Sequence, residues 1–159
     1  MNRLSLFLGS VAGTGFFPFA PATFTTLLLA LLFAWWGPGP VALGVMLGVG
    51  LLVSVPLATR MERLLGEDPS ACTVDEFVGY LIPLQGRDLS APGSWKLLVA
   101  AFFLFRFFDI LKPWPIRRID RQLANAHGVM LDDVLAGIFA GLAWALLVYL
   151  LADKIPLRG

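Results

Sequence analysis

Apolar residues along this chain come in long unbroken runs, not in the alternation of a half-buried strand or the stripe of a surface helix. Four runs stand out, over residues 22–36, 41–58, 95–111 and 134–152. At 1.5 Å per residue the second and fourth reach roughly 27–28 Å, close to a bilayer's hydrocarbon core. The first and third reach roughly 22–25 Å and need local thinning or snorkelling at their ends. A fifth segment, 74–85, is apolar after two acids at its start. At about 18 Å it is too short to span alone and reads as a partial, partly buried helix. A soluble core helix can imitate one such run, but not four in 159 residues. The pattern therefore predicts an all-α fold: a polytopic membrane helical bundle of about four transmembrane helices plus a short partial helix. One domain covers residues 1–159.

Turn signals fall between the runs. Gly37-Pro38-Gly39-Pro40 is an uncharged tight reversal, residues 86–94 carry Arg87, Asp88, Pro92 and Gly93, and residues 112–133 form the longest polar stretch. Gly44-x-x-x-Gly48 and Gly137-x-x-x-Gly141 predict close helix approach, a packing signal only. Near the start, Arg3 precedes a short apolar stretch, and Ala20-Pro21-Ala22 loosely resembles a cleavage site. That stretch is broken by Ser5, Gly9 and Ser10, so it reads as part of the protein. Glycines in Gly13-Thr14-Gly15 would allow close backbone approach to a ligand. Pro21-Ala22-Thr23 precedes the first long helix on the same face, and Thr23 could equally be an N-cap.

Composition sharpens this picture. The chain is 58% hydrophobic and 14% charged, against about 45–50% and about 25% in soluble domains. A net charge of +1 gives no field that would draw nucleic acid. Cys72 is the single cysteine and His127 the single histidine, so an internal disulfide and thiolate or imidazole metal sites are excluded.

Basic residues set the orientation. With the 37–40 turn outside, eight of them (Arg3, Arg60, Arg63, Arg106, Lys112, Arg117, Arg118 and Arg121) fall inside. Four (Arg87, Lys96, Lys154 and Arg158) fall outside. On that topology Asp75 and Glu76 start the short helix, Asp109 ends the third long helix, and Asp132 and Asp133 start the fourth. Five acids from three separated segments meet one membrane face, where ionisable groups are costly unless paired or functional.

Each acid also has a plain structural reading. Thr73-x-x-Glu76 is a capping-box pattern. Asp132 and Asp133 could complement a helix dipole, and Arg106 could simply pair with Asp109 three residues on. The set as a whole suits Mg²⁺, which takes carboxylates, water and phosphate oxygens. Asp75, Glu76, Asp132 and Asp133 are the candidate ligands. Arg106, Lys112 and Arg117 are candidates to bind a substrate phosphate, Arg with two parallel bonds and Lys as a point charge. Lys112, Arg117 and Arg118 could instead be topology signals drawn to anionic headgroups.

The residues just named lie in three stretches. They are Asp75-Glu76-Phe77-Val78-Gly79, the long run from Phe105-Arg106-Phe107-Phe108-Asp109 through Lys112-Pro113-Trp114-Pro115-Ile116-Arg117, and Leu131-Asp132-Asp133-Val134-Leu135-Ala136-Gly137. In this order they resemble the phosphatidylglycerophosphatase A family from about Gly13 to Gly141. The resemblance implies a multi-pass bacterial inner-membrane enzyme with its site on the cytoplasmic face. It implies removal of the terminal phosphate of phosphatidylglycerophosphate with Mg²⁺, giving phosphatidylglycerol and inorganic phosphate. Its partners are then the phospholipid substrate and the membrane, with no nucleic acid. The N-terminal stretch departs from the family pattern: Ala22 and Thr25 stand where glycines are expected, and no role is assigned to Thr14 or Thr23.

The expected chemistry is metal-assisted hydrolysis. Asp109 would join the metal ligands or orient the attacking water, while Arg106 and Lys112 neutralise charge on the transferring group. A phosphocysteine route fails because Val78 stands where a C-x₅-R loop from Cys72 needs arginine. A small transporter or ion-conducting subunit is the main alternative. It would place ionisable groups at mid-membrane, and stretches 27–32, 45–53 and 138–147 have none. The spaced Asp, Gly and Ala-Arg pattern of a CDP-alcohol phosphatidyltransferase is not found.

Overall fold

A computed structural model of the chain describes residues 2–66, 69–118 and 126–151. Among the described residues there are helices and turns and no strand. A short helix α1 (Asn2–Gly9) leads through a 3₁₀ turn (Thr14–Phe16) into α2 (Pro21–Trp36) and α3 (Pro40–Leu65). The short α4 (Val74–Leu81) continues as a 3₁₀ turn (Ile82–Leu84), followed by α5 (Trp95–Leu111) and α6 (Ala126–Leu151).

α4 sits in the middle of the bundle, and all of it but Phe77 is buried. Around it Phe33 of α2, Tyr80 of α4 and Phe105 of α5 form a chain of rings, each centroid 6.4 Å from the next. The Tyr80 hydroxyl, which needs a partner once buried, donates to the Leu98 carbonyl at 3.0 Å. Gly79 and Gly137 let α4 and α6 cross closely. A Cβ on Gly137 would run into the Gly79 carbonyl, and one on Gly79 would stand 2.8 Å from the Asp133 carbonyl.

The bundle's outer surface is apolar: Leu31, Trp35, Val45, Leu52, Leu142 and Leu150 are all exposed. α3 and α6 are each long and apolar enough to cross a membrane, with only 28% and 17% of their most apolar windows buried. A buried core helix of a soluble protein would show the reverse. α2 and α5, at 16 and 17 residues, are shorter. At one end of the bundle the Leu89 amide donates to the Pro38 carbonyl at 3.1 Å, joining the 85–94 turn to the 37–39 turn. The polar ends of α4, α5 and α6 gather at the other end.

Several expectations change. α3 continues through Pro56 to Leu65, well beyond residue 58. α6 starts at Ala126, eight residues before the apolar run, so Asp132 and Asp133 lie past its first turn and do not cap it. α1, unforeseen as a helix, packs against α3, with Gly9 tight on the Met61 side chain. Gly44 and Gly48 face open space or a distant contact, so that pair does not mark a close crossing. Gly15 approaches the Ala71 carbonyl, another part of the chain and not a ligand. α2 begins at Pro21 after Ala20, which places Thr23 inside the helix and not at its cap. Arg121, Lys154 and Arg158 lie outside the described residues, as does the His127 side chain.

Candidate active site

Three backbone events aim the acids. α4 begins at Val74, so Asp75 and Glu76 occupy its first turn, held deep in the bundle. α5 ends at Leu111 and is capped by Lys112, whose backbone takes a left-handed φ of 42°. That conformation is strained for a non-glycine residue, and it turns the chain just where the lysine ammonium meets Asp132. α6 starts early, so Asp132 and Asp133 stand within a formed helix beside α4.

Asp75, Glu76, Asp109, Lys112, Asp132 and Asp133 line one pocket of about 260 Å³. Pro21 and Ala22 of α2, Pro69, Ser70 and Cys72 of the loop before α4, and Val129 of α6 complete its wall. The expected convergence of the five acids is therefore what the fold produces. Asp75, Glu76, Asp132 and Asp133 are buried. Their charges repel: Asp133 feels Glu76, Asp75, Asp109 and Asp132, and Asp75 feels Glu76 and Asp132.

Two cations offset part of that repulsion. Arg106 Nη1 donates to Glu76 Oε2 at 2.7 Å and Oε1 at 2.8 Å, and lies 2.8 Å from Asp109 Oδ2. Lys112 Nζ donates to Asp132 Oδ2. Within each acid pair the first member's Oδ1 accepts the next amide at 3.0 Å, Asp75 from Glu76 and Asp132 from Asp133. The capping-box reading of Glu76 fails. Thr73 makes no side-chain cap bond, and Glu76 points away to Arg106.

Arg106 stands behind the wall, on Glu76 and Asp109, and does not line the pocket. Arg117 is exposed and also outside the lining. Of the three cations expected to meet phosphate, Lys112 is the one on the wall.

Thr26 was not foreseen. It is fully buried, and its hydroxyl lies 3.3 Å from Glu76 Oε2. Next to it Thr25 pairs with Thr14, oxygen to oxygen at 2.6 Å. The available signal was hydroxyls at 23, 25 and 26 in an otherwise apolar helix.

The donors fit Mg²⁺. All are oxygens, and Asp133 Oδ2 is buried with no hydrogen-bond partner among the described residues, a costly state for a carboxylate unless something binds it. Among the described residues no three Asp, Glu, His or Cys side chains form a ready-made cation cage. Mg²⁺ does not require one, since it commonly takes one or two carboxylates with water and substrate phosphate oxygens.

The family model for phosphatidylglycerophosphatase A matches residues 7–148. The chain belongs to the phosphatidylglycerophosphatase A family. It is thus an enzyme, a phosphoric monoester hydrolase. A Haemophilus influenzae phosphatidylglycerophosphatase A is 53% identical over 74 residues, 46% of this chain and 43% of that protein. The Escherichia coli phosphatidylglycerophosphatase A is 33% identical over 93 residues, 58% of this chain and 52% of its own length. The matched stretches thus span about half of those two relatives. A Bacteroides thetaiotaomicron protein, provisionally named a phosphatidylinositol-3-phosphatase, is 36% identical over 149 residues, 86% of this chain and 89% of that protein. No solved structure matches the chain.

Proposed function

We propose that the enzyme hydrolyses the terminal phosphomonoester of phosphatidylglycerophosphate to phosphatidylglycerol and inorganic phosphate, with Mg²⁺, from the cytoplasmic face of a bacterial inner membrane. The observation that carries this is the pocket at one end of an apolar-surfaced bundle, where five acids and Lys112 share one wall. A lipid phosphate presents its headgroup at that depth while its chains stay in the bilayer.

Asp75, Glu76, Asp132 and Asp133 would hold the metal, with the unpartnered Asp133 Oδ2 as the readiest ligand. Bound there, Mg²⁺ supplies Lewis-acid stabilisation of phosphate oxygens and of the leaving alkoxide. Lys112 leaves Asp132 to meet the phosphate, a short move for a flexible ammonium. Asp109 orients the attacking water. The water's oxygen bonds to phosphorus as the bond to the glycerol oxygen breaks; the water gives up one proton and the glycerol oxygen takes one up, leaving phosphatidylglycerol and inorganic phosphate. Arg106 acts through Glu76 and Asp109, pairing with both carboxylates and fixing them in the pocket wall. This differs from a direct grip on phosphate by Arg106, because the guanidinium is already engaged behind the wall.

A second reading has a 3-phosphorylated inositol lipid as substrate. It is favoured by the relative whose similarity runs over most of both chains. Phosphate release by the purified protein separates the two. Phosphatidylglycerophosphate, phosphatidylinositol 3-phosphate and phosphatidic acid are each supplied with and without Mg²⁺. Preferred, Mg²⁺-dependent release from phosphatidylglycerophosphate supports the proposal, and preference for the inositol lipid replaces it.

A further inference from the structure

We propose that Thr26 is a positioning residue for Glu76, and so for the reaction; the inference rests on the phosphatase reading above. The Thr26 hydroxyl has one proton and two acceptors in reach, the Ala22 carbonyl at 2.9 Å and Glu76 Oε2 at 3.3 Å. Ala22 precedes Thr26 by one helical turn, so its carbonyl is already the acceptor for a helix amide. The carboxylate is the stronger acceptor, because bonds to ionised oxygens are about twice as strong as neutral ones. The hydroxyl is thus shared between its own helix and the Glu76 carboxylate of α4.

The geometry makes this more than a packing contact. Arg106 approaches Glu76 from α5 and Thr26 approaches from α2, so the carboxylate is held from two helices. Arg106 Nη1 touches both Glu76 oxygens, so from the α5 side the carboxylate is held through one nitrogen. Thr26 adds a second donor on Oε2, from a different direction. Thr26 is fully buried and cannot be replaced in this role by bulk water. Its own helix is pinned one residue earlier by the Thr25–Thr14 pair. Ala22, one turn away, lines the pocket. The first turns of α2 are thus part of the site, with Thr26 as the side chain that reaches an acid.

The test compares wild type, Thr26→Val and Thr26→Ser in detergent, reading kcat, KM and thermal midpoint. Valine keeps the shape and loses the hydroxyl; serine keeps the hydroxyl. Thr26→Val is expected to lower kcat about tenfold to a hundredfold with KM within about twofold, the scale of one lost hydrogen bond to a charged group. Thr26→Ser is expected within about threefold of wild type. Equal kcat in wild type and Thr26→Val overturns the proposal. So does a loss in folded Thr26→Ser as large as in Thr26→Val, which would make Thr26 a packing residue. If Thr26→Val does not fold, Thr26→Ala takes its place with the same expectations. A wild type that releases phosphate from no lipid phosphate instead refutes the phosphatase reading itself.

Discussion

The backbone carbonyl of Gly79 occupies the space that a Cβ on Gly137 would need. This crossing sets the distance between α4 and α6, and with it the distance between Asp75–Glu76 and Asp132–Asp133. Gly137→Ala should therefore act twice. Overpacking at such a contact costs about 1–3 kcal/mol, and relief by separation would pull the acid pairs apart. The expected result is a lower thermal midpoint together with lower phosphate release. An unchanged midpoint and rate would mean that the helices yield freely here.

Arg106 bridges Glu76 and Asp109 with its side chain 13% exposed. Removing one partner of a buried ion pair typically costs about 3–5 kcal/mol. Arg106→Gln should thus destabilise the protein by that order. Arg106→Lys keeps the charge but not the planar fork, and should cut turnover about tenfold or more while sparing much of the stability. Thermal melts and phosphate release on the two variants check this. Full activity in Arg106→Lys would leave charge alone as its contribution.

The sequence made the long elements readable where composition changed sharply. α5 begins and ends where the apolar run does, because Pro92-Gly93 precede it and Lys112-Pro113 follow it. The ends of α3 and α6 were hidden for one reason: charged residues inside the helix interrupt the apolar run. Arg60, Glu62 and Arg63 extend α3 beyond its apolar run, and Asp132 and Asp133 are helical yet face the pocket. Hydropathy reads solvent or lipid contact, so a helix that turns polar towards a site ends too early on that measure. The acids of the site were legible because charge in an apolar chain is conspicuous. Thr26 was not, since a single hydroxyl in an apolar helix is commonly satisfied by its own backbone. Only the fold brings it to a residue fifty positions away.

Lys112 and Arg117 separate by position. Lys112 is on the pocket wall and bonded to Asp132; Arg117 is exposed and outside the lining. Lys112→Met should lower turnover about tenfold or more, and Arg117→Gln should change it less than about twofold in neutral detergent, within the scale of lost electrostatic stabilisation against a surface charge change. Phosphate-release rates at saturating substrate decide this. A larger loss from Arg117→Gln would place the phosphate outside the pocket.

Metal removal tests the oxygen donor set. EDTA should stop phosphate release and excess Mg²⁺ should restore it. Ca²⁺ should restore it poorly, because the larger ion prefers longer bonds and more ligands. Release that continues in EDTA would leave the reaction to the side chains alone.

The most direct measurement is phosphate release by purified Asp133→Asn protein, paired with its thermal midpoint. Asp133 carries a buried, unpartnered oxygen among four repelling carboxylates. The neutral amide should keep or raise the midpoint, as expected where a site is held against stability, while release falls by about a hundredfold or more, the scale of lost transition-state charge stabilisation. A folded Asp133→Asn protein that releases phosphate at the wild-type rate would contradict the account.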